Sequence, residues 1–322
     1  MKEERKSKGM NAIKICSFLI LVGFIFTMLF CFARPNVPNK THTFRTYDNS
    51  IVFKEKENSI DVLYVGHSRV FSGISPMEIY DEYGFAGHNC AQSLQLPWES
   101  YDLICDILQK QSPKVIALEA DQFFYTVKNA EFRSNMKNTA LKMFPFIETH
   151  FYWKDNFGYA KDNPFKNYKF RTGVDSGTEN NNMDPTDARA KMPKRFKKAF
   201  DKILKLCKEK EIQVVFFTIP SLEHWNYAMF NSINDISNSL DIPFVDMNQK
   251  EILQQLNMDW KLDTRDKGDH LNHSGACKVS KYFGAWLKDH TNLEDRRGQA
   301  EYENWNKDLK EYKKLVQKGC KK

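Results

Sequence analysis

From Ile15 to Ala33 the chain carries no charged side chain, and 19 apolar or small residues in a row reach about the length an α-helix needs to cross a bilayer core. Lys2, Arg5, Lys6, Lys8 and Lys14 precede this run, and basic flanks of that kind stay on the cytoplasmic side. The expectation is a cytoplasmic basic N-terminus over residues 1–14, a transmembrane helix over 15–33, and an extracytoplasmic remainder held at the cell membrane by one span. A cleaved signal peptide is the alternative. It fits less well, because Phe30-Cys31-Phe32-Ala33-Arg34 offers no small-x-small cleavage site and the run exceeds a signal's apolar core. The bulky Met28, Leu29 and Phe30 before Cys31 also depart from a lipoprotein signal.

Beyond the span, residues 34–58 are polar and irregular and read as a stalk. Short apolar runs rich in branched residues then recur at Ile60–Val65, Lys114–Leu118, Gln213–Thr218 and Ile242–Val245. Helical patterns at Trp98–Gln109 and Lys197–Glu209 precede the second and third. Alternation of this kind predicts an α/β domain over residues 59–291, with a mostly parallel sheet covered on both faces. Between about 126 and 193 the alternation gives way to aromatic and amide residues, an insertion expected to pack over the sheet. Residues 292–322 form a charged helical tail, with Tyr302, Trp305, Leu309, Tyr312 and Leu315 at the spacing of one helix face.

The formal charge of +7 is concentrated in the tails, where Lys313, Lys314, Lys318, Lys321 and Lys322 match the basic N-terminus. No basic stripe with interleaved aromatics runs through the domain, which argues against nucleic-acid binding. Seven cysteines without paired spacing make no disulfide framework, and no CxxC or Cys/His cluster implies a metal. No cofactor motif is visible.

In an open parallel sheet, ligands bind beyond the carboxyl ends of the strands. The loop after the first apolar run is Gly66-His67-Ser68-Arg69. Glycine permits a sharp exit from the strand and presents Ser68, whose own N–H can face a developing oxyanion. A helix-capping serine is the structural alternative. About 200 residues on lies Asp266-Lys267-Gly268-Asp269-His270-Leu271-Asn272-His273-Ser274-Gly275-Ala276. A serine needs a base to take its proton, and the base needs a carboxylate to fix its tautomer. His270, with Asp266 and Asp269, supplies both; His42, His150, His224 and His290 lack such company.

These segments resemble the SGNH (GDSL-like) hydrolases, and more narrowly the membrane-anchored branch that accompanies membrane-bound O-acyltransferases. The resemblance runs from DVLYVGHSRVFSGISP through NCAQS, KVIALE, IPSLEHWN and IPFVDMN to GDHLNHSGACKVSKYFGAWL and EDRRGQAEYENWN, about 230 of the 322 residues. It implies a three-layer, flavodoxin-like sheet, with Ser68 as nucleophile and His270 as base. It also implies oxyanion or substrate contacts around Asn89, Ala91 and Gln92. The family's carboxylate stands three residues before the histidine, where this chain has Lys267, so the role passes to Asp266 or Asp269, with a slight preference for Asp266. The family's oxyanion asparagine after the third strand is replaced by Glu119-Ala120-Asp121, which leaves Glu119 either facing the pocket or serving the fold.

By similarity to alginate-acetylation and teichoic-acid D-alanylation proteins, the resemblance implies acyl transfer, of acetyl above all, to a cell-surface polysaccharide or teichoic acid. The transfer would run through an acyl-serine. The expected partners are a multi-span membrane-bound O-acyltransferase, the glycan acceptor and the membrane itself. Ester hydrolysis by the same residues, and a catalytically inactive scaffold for an acylation or export complex, are the rival expectations.

Overall fold

The computed structural model describes residues 2–33, 40–41, 43–124, 128–144 and 163–320. Its sheet comprises β1 (Val62–Gly66), β2 (Gly87–Ala91), β3 (Val115–Glu119), β4 (Gln213–Thr218) and β5 (Phe244–Asp246). All five are parallel, in the order β2-β1-β3-β4-β5. Every crossover therefore leaves from the same end of the sheet, and the loops after β1, β2 and β3 gather at one rim. The architecture is the expected α/β one, with helices on both faces.

The strands read as continuous apolar runs because neither face meets water. Leu63, Val65, Ile116, Leu118 and Phe216 point to one side and pack with α4 (Pro97–Ile107) and α6 (Lys194–Glu209), through Leu103, Ile104, Phe200 and Ile203. Val62, Tyr64, Ala117, Val215 and Phe217 point to the other, onto α3 (Pro76–Tyr83) and α9 (His273–His290), through Ile79, Val279 and Phe283. The helices α7 (Tyr227–Leu240) and α8 (Lys250–Gln255) follow β4 and β5. Phe217 stacks on Phe283 with ring centroids 4.8 Å apart. β2 departs from this texture. Gly87-His88-Asn89-Cys90-Ala91 has no branched residue, and as an edge strand it needs a partner on one side only.

The segment expected to be a stalk over 34–58 joins the domain from Thr43 onward. Thr43, Arg45, Asn49, Val52 and Phe53 are buried. Arg45 is ion-paired with Asp106 on α4, and Thr43 bonds Asp102. Polar residues mark a solvated segment only when nothing of opposite charge waits for them, and here α4 supplies the counter-charges. Positions 34–39 and 42 of the expected stalk lie outside the described residues.

The expected insertion opens with α5 (Ala130–Met143). Its aromatic stretch over 145–162, with His150, lies outside the described residues. The return leg is largely exposed but hydrogen-bonded to the domain: Asp175 N–H donates to Thr264 O at 3.1 Å, Gly177 N–H to Trp260 O at 2.9 Å, and Asn182 Nδ2 to Leu222 O at 2.9 Å. The C-terminal helix α10 (Glu303–Cys320) buries Trp305 and Tyr312, as its one-sided pattern predicts. Lys166 joins it to the N-terminal segment, bonding Asp308 at 2.7 Å and Glu55 at 2.6 Å with its ammonium 4.3 Å from the centre of the Trp305 ring. At the other end, the helix α1 (Lys2–Ala33) contains a 20-residue stretch, Ile13–Phe32, of mean hydropathy 2.7 and with none of it buried. By length and composition it is apolar enough to cross a membrane.

Candidate active site

The chain leaves β1 through a turn in which glycine is required by proximity. A methyl group on Gly66 would stand 2.5 Å from Glu119 Oε2 and 2.5 Å from Val70 Cγ2, both inside van der Waals contact. Ser68 is the first residue of the short helix α2 (Ser68–Gly73). The preceding position, His67, makes no side-chain cap, and the serine does not serve as one either. Its Oγ lies 2.8 Å from His270 Nε2. The two residues singled out 202 positions apart therefore meet in a hydrogen bond, which a capping role for Ser68 would not produce.

His270 reaches Ser68 from a small hairpin that the apolar pattern did not announce. β6 (Thr264–Arg265) pairs antiparallel with β7 (His270–Leu271). Asp266, Lys267 and Gly268 between them take φ of +55°, +58° and +94°. Three successive left-handed residues coil the loop tightly, and at Gly268 a Cβ would also strike Leu222 Cδ1 at 2.7 Å. The extra turn brings both acidic candidates to the same ring edge: His270 Nδ1 lies 3.0 Å from Asp266 Oδ2 and 3.2 Å from Asp269 Oδ2. Neither carboxylate is angled to complete a hydrogen bond to that nitrogen. Asp266 is half exposed and bound to Arg265, whereas Asp269 is the more sheltered of the two.

The electrostatics favour a neutral imidazole. Burial pushes the His270 pKa below its ordinary value of 6.5, and Arg265 and Arg69 act the same way against the pull of Asp269 and Asp266. A neutral ring can accept the serine proton at neutral pH. The Asp269 carboxyl lies below its ordinary range: burial alone would raise it, but Arg69 and His270 outweigh that.

Beneath Ser68 lies a buried charged cluster. Glu119, expected either to face the pocket or to serve the fold, accepts a hydrogen bond from His67 N–H at 3.2 Å and is fully buried under the turn. Burial raises its pKa. Asp121 lies 2.9 Å from His67 Nε2 and is ion-paired with Arg69. The position where the resemblance implied an oxyanion asparagine thus holds carboxylates that contact both residues flanking the serine. His67, Arg69 and Asp121 were not among the expected site residues. Two basic residue types flanking a candidate nucleophile were the available signal.

The second-strand candidates divide. Ala91 pairs in register with Gly66 and so ends beside the serine turn. Asn89 lies within β2, where its Nδ2 donates to Ile74 O at 2.8 Å, so its side chain serves packing. Gln92 turns toward the N-terminal segment, with Oε1 accepting from Thr46 N–H at 3.3 Å. Beyond β4 and β5 a groove of about 1000 Å³ opens, lined by Asn180, Asn182, Tyr227, Gln254 and Trp260. It shares Leu222 with the hairpin, since Leu222 N–H donates to Gly268 O at 3.0 Å, but does not contain Ser68. Elsewhere, Glu78, His273 and Cys277 bring possible metal-ligand atoms within 4.8 Å of one another, a grouping of three residues from two helices.

Searches against family models and against curated proteins return no match to this chain. Among solved structures it is similar to a lipase/acylhydrolase from Enterococcus faecalis at 10% identity, covering 73% of this chain and 98% of that one with a TM-score of 0.37. It is similar to an acetyl xylan esterase at 14% identity, covering 71% and 99% with a TM-score of 0.39. A GDSL-like lipase from Bacteroides thetaiotaomicron is similar at 11% identity, covering 71% and 88% with a TM-score of 0.38.

Proposed function

We propose that this protein is a membrane-anchored, serine-dependent acyltransferase that moves an acyl group, specifically acetyl, onto a hydroxyl of a cell-surface polysaccharide or teichoic acid. The observation that carries the reading is the 2.8 Å contact between Ser68 Oγ and His270 Nε2 at the carboxyl end of β1. In the first half-reaction Ser68 Oγ attacks the acyl carbonyl while His270 Nε2 takes its proton. Collapse of the tetrahedral adduct breaks the bond to the donor's leaving group, which receives that proton and departs, leaving an acyl-serine. In the second, His270 deprotonates the acceptor hydroxyl, whose oxygen attacks the acyl-serine, and Ser68 leaves with the proton. The Ser68 N–H and the chain leaving Ala91 would hold the oxyanion.

The uncharged run over Ile15–Ala33 and its basic N-terminal flank support anchorage with the domain outside. A donor delivered by a multi-span membrane-bound O-acyltransferase suits that placement. The amides of Asn180, Asn182 and Gln254, with the Tyr227 ring, suit the groove beyond β4 and β5 to sugar hydroxyls and ring faces. Hydrolysis is the second reading, favoured by the half-exposed Asp266, which leaves one edge of the site open to water.

The deciding experiment measures surface acylation in cells carrying Ser68→Ala beside the wild type. It is paired with in vitro turnover of an aryl acetate with and without an acetyl-free glycan. Loss of surface acylation, with acceptor-dependent turnover, is the expected result. Fast turnover in water that glycan does not change would make the protein an esterase, and unchanged acylation in the Ser68→Ala cells would overturn both readings.

A further inference from the structure

Two carboxylates compete for one imidazole edge, and the structure treats them unequally. Asp266, the nearer at 3.0 Å, projects from a left-handed residue, is half exposed, and is tied to Arg265, itself partly in solvent. Asp269 is held from the interior. Its Oδ1 accepts a hydrogen bond from Arg69 Nε at 3.0 Å while its Oδ2 faces His270 Nδ1 at 3.2 Å. One carboxylate thus spends one oxygen on a buried guanidinium and offers the other to the base.

Arg69 is an unusual clamp, because it follows the serine directly and is almost wholly buried. A guanidinium removed from water must be paired, and its fork can bind two carboxylates at once. The second is Asp121, which also bonds His67 Nε2 at 2.9 Å. Burial disfavours the charge on Arg69, yet Asp121, Glu119 and Asp269 keep its pKa above the ordinary value. The chain of contacts runs from the end of β3 through Asp121, Arg69 and Asp269 to His270 and Ser68. It spans 200 positions of sequence at the Arg69–Asp269 step.

We propose that Arg69 is a positioning residue that clamps Asp269 between itself and His270, making Asp269 rather than Asp266 the carboxylate that orients the base. This rests on the serine–histidine reading above. It also gives Asp121 a purpose at the position where an oxyanion asparagine was expected: the carboxylate anchors the clamp. A rigid partner fixes the tautomer and direction of the ring without the reorganisation that a solvated one requires.

The test uses the full-length protein in detergent, with two readouts. The first is kcat/KM for an aryl acetate in Asp269→Asn, Asp266→Asn, Arg69→Gln and Arg69→Lys. Asp269→Asn is expected to fall by about 10³-fold or more, as when a base loses its orienting carboxylate. Arg69→Gln should fall by about 10–100-fold, mostly in kcat, with partial recovery in Arg69→Lys. Asp266→Asn should lose less than about 3-fold. The second readout is the titration of the His270 ring by NMR, which does not depend on turnover. The groups facing the ring are Asp269, Asp266, Arg265 and Arg69, with His224 behind Asp269. Removing the Arg69 cation should raise the His270 pKa, and Asp269→Asn should lower it more than Asp266→Asn does.

An Asp266→Asn loss equal to or greater than that of Asp269→Asn, or a folded Arg69→Gln whose His270 titrates as in the wild type, overturns the proposal. If Arg69→Gln does not fold, the two aspartate variants decide it. If Ser68→Ala keeps wild-type turnover, the serine reading fails, while the ring titration still decides the clamp.

Discussion

The two halves of the candidate site are built in opposite ways. The Gly66–Arg69 turn is sealed: Glu119 lies against Gly66, His67 and Arg69 are buried, and three carboxylates surround them. The Asp266–His270 loop is coiled and open, with three positive φ angles in succession and a half-exposed aspartate. A candidate nucleophile on a sealed turn beside a candidate base on a coiled, partly wet loop sets the buried half where a covalent bond would form and the open half where protons would move. Arg69, which ties the two together, makes them one site.

Four perturbations separate the halves, beginning with the largest effect. Ser68→Ala and His270→Ala should each lower kcat by about 10³-fold or more while leaving thermal stability near that of the wild type, as steady-state kinetics and melting curves would report. A large gap between the two variants would show that the pair does not act as a unit. Gly66→Ala should destabilise the fold by about 1–3 kcal/mol, because the added methyl strikes Glu119 and Val70 in a packed interior. Urea unfolding measures this, and a neutral result would mean that the turn is as compliant as the loop.

The third perturbation is pH. With the His270 pKa held below 6.5, chiefly by burial, the base stays neutral further into acid than an ordinary histidine. The acid limb of kcat/KM is therefore expected to fall through its midpoint below pH 6.5, with activity lost as the ring gains its proton. A midpoint above 6.5 would indicate that Asp266 and Asp269 dominate the ring instead. The smallest effect is expected at Lys267→Gly. Lys267 sits at φ +58°, so glycine relieves strain there but adds freedom to the unfolded chain. The net change should be below about 1 kcal/mol by urea titration, and a clear loss would show that the Lys267 side chain holds the loop.

Much of this site was legible in the sequence because its key residues carry local signals. β1, β3, β4 and β5 announce themselves as apolar runs, since both faces of a covered parallel sheet exclude water. Ser68 stands after a strand-ending glycine, and His270 keeps two aspartates within four residues. What escaped notice depends on contacts distant in sequence. β2 tolerates polar residues because His88 bonds Asn89 O within the strand and Asn89 bonds Ile74 O at the end of α2. The segment from Thr43 looked like a solvated stalk because Arg45 finds Asp106 only after folding. Arg69 reads locally as a surface charge, and its partners Asp121 and Asp269 lie 52 and 200 positions away. Hydrophobic periodicity is written along the chain, whereas ion-pair networks are written across it.

The most direct measurement is capture of the covalent intermediate. Full-length protein is mixed with an aryl acetate, quenched in acid and mapped by peptide mass spectrometry. An acetyl increment on the peptide containing Ser68, absent in Ser68→Ala and strongly reduced in His270→Ala, is the predicted result. Turnover with no acetyl on that serine, or acetyl on another residue that persists in Ser68→Ala, would contradict the assignment of Ser68 as the nucleophile.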